Sequence, residues 1–261
     1  MVVRIEPRQK GISGLKAACL LIALSKPFVV LAQGSSQSTE ESIVGKLKAL
    51  GARVFTEGEH VVEVNLDGAK ISDADLSLVA GLSEITDLSL ENTQVGDAGM
   101  AHLELLSKLE WLNLYHTQVG DAGLQHLKNL KNLQHLPVGR TNITDGGLAH
   151  LENMTQLLYL GLRGDHVTDA GLKHLRTLTH LKGLHLGETK VTDAGLLYLQ
   201  HLAELKKLWL HNTAISDGGV PALAGLKSLE HLEIYSTRIT ENGVKRLQVA
   251  LPRCHIVAQT E

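Results

Sequence analysis

The chain has 261 residues, 43% of them hydrophobic and only 3% aromatic, so its core has to be aliphatic. It carries 25 basic and 28 acidic residues, a balance that argues against nucleic acid as a partner, because phosphate backbones need a basic surface. Two cysteines, Cys19 and Cys254, offer no metal-type pair and leave a single thiol if the N-terminus is removed.

Residues 1–32 read as an export signal. Arg4, Arg8, Lys10 and Lys16 form a basic start, Ala17 to Leu24 is a short apolar run, and Val30-Leu31-Ala32 supplies small residues for cleavage. The run is too short to span a bilayer, so no transmembrane span is expected. An uncleaved anchor and a disordered tail are the alternatives. The segment holds five basic residues and one acidic, so the rest keeps 20 basic and 27 acidic, a net of −7. An exported protein of the periplasm, envelope or medium is the expectation.

Residues 33–60 form an N-terminal linker and cap. Ser38-Thr39-Glu40-Glu41 predicts a helix start before Ile43, Val44, Leu47 and Leu50, with Gly51 as the stop and Gln33–Thr39 mobile. Arg53-Val54-Phe55 and His60–Leu66 predict a hairpin at the entrance to a repeating region.

Over 61–252 the chain repeats itself. Val61, Ile85, Leu109, Leu133, Leu157, Leu181, Leu205 and Leu229 stand 24 residues apart, without insertion. A fixed period of this length marks a solenoid. With Leu109 as position 1, positions 1, 4 and 6 are aliphatic, and the Leu112-Asn113-Leu114 alternation predicts a strand with one buried face. Position 9 is mostly Thr, as at Thr117, suited to satisfying backbone groups at a turn. Thr144-Asp145, Thr168-Asp169 and Thr192-Asp193 predict helix N-caps with a carboxylate at the positive end. Gly at position 15 predicts close approach to a neighbour, and Leu at 16, 19 and 22 an apolar helix face. Leu251-Pro252 ends the last helix, and residues 253–261 form a C-terminal cap and tail, His255-Ile256-Val257 being a closing strand.

The units resemble those of leucine-rich-repeat proteins over about residues 61–257. The tract Val167-Thr168-Asp169-Ala170-Gly171-Leu172 and its copy at Val191–Leu196 resemble the (V/I)TDAGLxxL repeat of F-box/leucine-rich-repeat proteins and of exported bacterial repeat proteins. The resemblance implies an α/β right-handed solenoid, with a curved parallel sheet on the concave side and helices on the convex side. It departs from the F-box type at position 9, where Thr stands in place of Cys or Asn. No F-box-like helical domain fits into 33–60, so a ubiquitin-ligase role does not carry over.

The candidate site is set by the same pattern. Histidines 102, 126, 150 and 174 and the aspartates at position 13 recur with the repeat and read as structural, so neither a metal nor a cofactor is expected. No GxSxG elbow or phosphate loop is present. Positions 3, 5 and 7 must face away from the core. Five of the six Trp and Tyr fall there, Trp111, Tyr115, Tyr159, Trp209 and Tyr235, joined by His135, His185, His211 and His231. Large amphipathic side chains on an open sheet point to a binding surface; cross-strand stacking alone is the other account. Pro137, Gly139, Gly161, Gly183 and Gly187 predict a low floor between two aromatic ridges, with Arg140 and Arg163 at its margin, where an extended acidic or polar segment could lie. On this reading Trp111 and Trp209 are both replaceable without loss of the core. The expected function is non-catalytic capture of a protein or peptide by a monomer. A purely structural envelope protein is a rival. So is a metal enzyme using His185, His211 and His231 with a carboxylate such as Glu233.

Overall fold

The computed structural model describes residues 34–259; the expected export segment lies outside them. Among the described residues ten strands form one sheet in chain order. β1 (Arg53–Glu57) pairs antiparallel with β2 (His60–Asn65). β3 (Asp87–Ser89), β4 (Trp111–Asn113), β5 (His135–Pro137) and β6 (Tyr159–Gly161) then continue in parallel. So do β7 (Gly183–His185), β8 (Lys207–Trp209), β9 (His231–Glu233) and β10 (His255–Val257). The register advances by one repeat per strand, Asp87 to Trp111 to His135 to Tyr159. Each repeat places position 4 beside position 4 of the next, and Leu88, Leu112, Leu136, Leu160, Leu184, Leu208 and Leu232 are all fully buried. This is the leucine-rich-repeat solenoid that the period predicts.

The convex elements are shorter than ordinary amphipathic helices. One turn of α-helix over Asp145–Leu148 passes into a 3₁₀ turn over Ala149–Leu151, and Gly195–His201 is 3₁₀ throughout. Leucines spaced by three, such as Leu172, Leu175 and Leu178, superimpose on one face at three residues per turn, and all three are fully buried.

The Thr-Asp pairs divide their labour differently from the expectation. Thr144, Thr168 and Ser216 do cap their own helices, each accepting from the backbone N–H two residues on. The aspartate, however, reaches the next repeat. Asp145 accepts from the Thr168 N–H at 2.7 Å and from its hydroxyl at 2.6 Å. The same two bonds join Asp121 to Thr144, Asp169 to Thr192, Asp193 to Ser216 and Asp217 to Thr240. The Thr240 hydroxyl and N–H hold the Asp217 carboxyl below its ordinary range. This ladder explains the glycine at position 15: a Cβ on Gly171 would fall on the Asp145 carboxylate. The helix lies close to its neighbour because that carboxylate needs the space.

At the N-terminus, α1 spans Gly34–Ala49, starting earlier than the Ser38 cap predicts, so 34–39 are helical rather than loose. Glu40 does not serve a local cap; it accepts from the Val61 N–H at 2.6 Å and tethers α1 to β2. A tertiary donor has displaced the local one.

Candidate functional site

Positions 3, 5 and 7 lie on the concave face. Position 8 comes next, in the left-handed region in every repeat: Asn92, His116, Arg140, Glu188, Asn212 and Ser236 have φ between 54° and 61°, and Gly68 and Gly164 join them. That conformation costs a non-glycine residue about 1–2 kcal/mol. A sheet bond made just past the strand offsets part of it. Arg140 donates its N–H to the Arg163 carbonyl at 2.7 Å, and Glu188 to that of His211 at 2.9 Å.

This column places Arg140 and Arg163 together on one carboxylate. Arg140 donates to Glu188 at 3.1 Å across Gly164, and Arg163 donates through Nε at 2.9 Å. A Cβ on Gly164 would press on Arg140 Cγ at 3.1 Å, so the bridge over two repeats depends on that glycine. Burial works against the Glu188 charge, but the two guanidinium groups hold its carboxyl below the usual range. The arginines at the expected margin are thus already partnered.

The glycine floor is filled. Over β5–β10 the rings form one layer. His135 stacks on Tyr159 with centroids 6.4 Å apart, and Tyr159 meets Trp209 edge-on at 6.2 Å. Trp209 stacks on His185 at 5.4 Å, His185 meets His211 at 5.1 Å, and His211 stacks on Tyr235 at 4.7 Å. His231 closes the layer against Trp209 and His255. The glycines are where these rings rest: a Cβ on Gly183 would strike Tyr159 at 2.9 Å, and one on Gly187 would strike His211 at 2.6 Å. Two ridges with an open trough are therefore not what the sheet carries. A missing Cβ on one strand lets a ring from a neighbouring repeat lean across it.

The layer buries what the sequence left exposed. Trp209 is 6% exposed, His185 9% and His211 3%. Glu233 anchors them, accepting from Trp209 Nε1 at 3.1 Å and facing His231 Nε2 at 3.0 Å. His211 Nδ1 lies 3.4 Å from the same carboxylate without a hydrogen bond. Burial, then His211 and Arg163, push the His185 pKa down to about 3; burial and Arg163 lower His211 as well. Both imidazoles are neutral at physiological pH. Burial pushes the Tyr159 hydroxyl up to about 12. Among the described residues no group of three or more His, Cys, Asp or Glu is arranged to hold a metal ion, although His211 and His231 both reach Glu233. The repeat histidines 126 and 174 pair on the convex side with Glu104 and Glu152.

Trp111, Tyr115, His135, Tyr159, Arg163, His231 and Tyr235 keep partial access to solvent, and Arg140 is exposed. Sequence reasoning missed one group, Asp165, which replaces the position-9 Thr. It is 2% exposed. It accepts from the Thr141 N–H at 2.8 Å and hydroxyl at 3.1 Å, while its other oxygen has no partner. Burial raises its pKa to about 8, against those two donors. The departure from Thr in an otherwise regular column was the available signal.

No family model matches this sequence, and no curated protein does. Solved structures do resemble it. The leucine-rich-repeat ectodomain of the Arabidopsis receptor kinase HAESA, in complex with an N-terminally extended IDA peptide hormone ligand, superposes with a TM-score of 0.65 at 20% identity, over 86% of this chain and 41% of that one. The plant peptide hormone receptor RGFR1, in complex with RGF2, gives 0.54 at 14% identity, over 79% and 36%. Internalin C2 of Listeria monocytogenes gives 0.52 at 20% identity, over 78% and 92%. The chain spans less than half the length of the two receptor ectodomains. These likenesses establish the α/β leucine-rich-repeat fold. No helix among the described residues is long and apolar enough to cross a membrane.

Proposed function

We propose that this chain is a non-catalytic, exported, monomeric module that captures a protein or peptide on the concave face of its sheet. One observation carries the reading. Trp111, His135 and Tyr159 stand on successive strands in register, Tyr115 lies on the same face, and all four keep solvent access. Among the described residues the Trp111 ring stacks on no other. Aromatic side chains held partly open on a rigid sheet supply large contact area at low entropic cost. Two solved structures of similar fold, HAESA and RGFR1, hold peptide hormones.

The buried layer of Trp209, His185 and His211 favours stabilisation of the sheet over capture, so the binding area moves towards β4–β6. The test is selection of a random linear peptide library on the immobilised full chain. Peptides enriched on the native protein and lost on a folded Trp111→Ala/Tyr115→Ala variant support the reading. Equal enrichment on both proteins places capture elsewhere.

A further inference from the structure

The concave surface of the first three repeats has a pattern of its own. Position 3 runs Glu63, Asp87, Trp111 across β2–β4, in register. Position 7 runs Asp67, Glu91, Tyr115 in the same repeats. Between them, position 5 is the neutral lane Asn65, Ser89, Asn113. Each outer row therefore reads acid, acid, aromatic. β1 extends the first row, because Phe55 pairs with Glu63 and shares its face; the residue is 51% exposed.

The four carboxylates meet no cation in an ion pair among the described residues. Asp67 and Glu91 are fixed by the neutral lane. Asn65 donates to Asp67 at 2.8 Å and Asn113 to Glu91 at 3.0 Å. Glu63 and Asp87 are direct neighbours on adjacent strands, where like charges repel. Burial and Asp87 raise the Glu63 pKa, and Arg53 only partly counters them. Arg140 and Arg163 are engaged on Glu188, further along the solenoid.

We infer that the occupant of this end of the face is an extended, lysine- or arginine-bearing peptide segment, its cationic side chain lying over Glu63 and Asp87 between the Phe55 and Trp111 rings. The inference rests on the peptide-binding reading above and names the partner's chemistry. Charge complementarity selects the cation, since an anionic or neutral segment would leave the repelling pair uncompensated. The aromatic rings hold the flanking methylenes and the cation itself. The geometry fits a polypeptide. Three strand spacings of about 4.8 Å separate Phe55 from Trp111, which an extended segment crosses in about four residues at about 3.3 Å each.

The experiment uses three linear peptide libraries of one length and equal aromatic content, with variable positions biased to Lys/Arg, to uncharged residues or to Asp/Glu. They are selected on the full chain, and the best binders are measured by fluorescence anisotropy at low and high salt. The Lys/Arg library should enrich. Its binders should weaken about tenfold on Glu63→Gln/Asp87→Asn, about thirtyfold on Trp111→Ala, and fall further with salt. If the double variant misfolds, Glu63→Gln alone and the salt dependence on the native chain decide the matter. Enrichment of the uncharged or acidic library through Trp111, or basic binders indifferent to Glu63 and Asp87, overturns this inference and leaves the capture function standing. No enrichment over the Trp111→Ala control in any library overturns both.

Discussion

Ser89 and Trp209 occupy the same repeat position on strands five apart, and both are nearly buried, at 2% and 6% exposure. Ser89 is covered by a polar mesh, donating to Asp67 and accepting from Asn113 at 3.2 Å. Trp209 is covered by rings on both sides and by Glu233. One backbone thus carries two unlike surfaces. Over β2–β4 the side chains bond laterally in the plane of the sheet and leave charge and aromatic edges facing water. Over β6–β10 they fold down on each other and turn the face into a second, shallow core. In a leucine-rich repeat the buried positions fix the scaffold, and the outward positions decide locally whether the face recognises or reinforces.

The sharpest test of this contrast is substitution of the two tryptophans. Trp209→Ala opens a cavity in the ring layer and should cost about 3–5 kcal/mol, seen as a lower urea midpoint. Trp111→Ala should cost less, about 1 kcal/mol, because its ring is only partly buried and stacks on no other among the described residues. Equal losses would erase the distinction. The pH dependence separates the halves next. Asp165 has its pKa raised by burial to about 8, so the unfolded chain releases this proton first. Its favourable contribution is complete below about pH 4 and is lost as pH rises to about 8, at up to about 1.4 kcal/mol per unit. Asp165→Asn should flatten that limb of the stability curve.

His185 acts with the opposite sign. Its pKa is lowered to about 3, so its contribution is whole above about pH 6.5. It is lost as pH falls towards 3, with the same limiting slope. Hydrogen exchange at pH 5 should therefore show β7–β9 losing protection before β3–β5; simultaneous loss would contradict the contrast. The smallest effect belongs to the acidic end. Glu63→Gln removes a repelling charge and should stabilise the chain by about 0.2–1 kcal/mol in low salt, a gain that disappears in about 1 M salt.

The period made the scaffold legible: the leucines named the buried face, and Thr93, Thr117, Thr189, Thr213 and Thr237 do satisfy the carbonyl three residues back, at 2.8 Å for Thr117 on Leu114, while the Thr141 hydroxyl turns to Asp165 instead. What the sequence concealed was lateral. Asp145 reads as a helix-start carboxylate because its partner, Thr168, is a whole repeat away. Arg140 and Glu188 carry no left-handed signature, yet position 8 is left-handed throughout. Gly183 and Gly187 read as open floor, since nothing local says which ring will lean over them. Trp209 and Trp111 look alike as outward residues; only the occupants of neighbouring strands separate them. The acidic rows are equally visible in the sequence, at positions 3 and 7.

The aspartate ladder also bears on how such a chain changes length over generations. From Asp121 to Asp217 every rung joins a repeat only to the next one, through one backbone N–H and one hydroxyl; the first two rungs, Asp73 and Asp97, face Gly96 and Gly120 and accept from backbone N–H groups alone. Excising residues 145–168 would splice Thr144 to Asp169, leaving Thr144 on Asp121 and Thr192 on Asp169. Duplicating that segment would add a rung of the same kind. Unequal recombination can thus lengthen or shorten this protein in steps of one strand, about 4.8 Å, moving its acidic end relative to its ring-covered end like marks on a sliding rule.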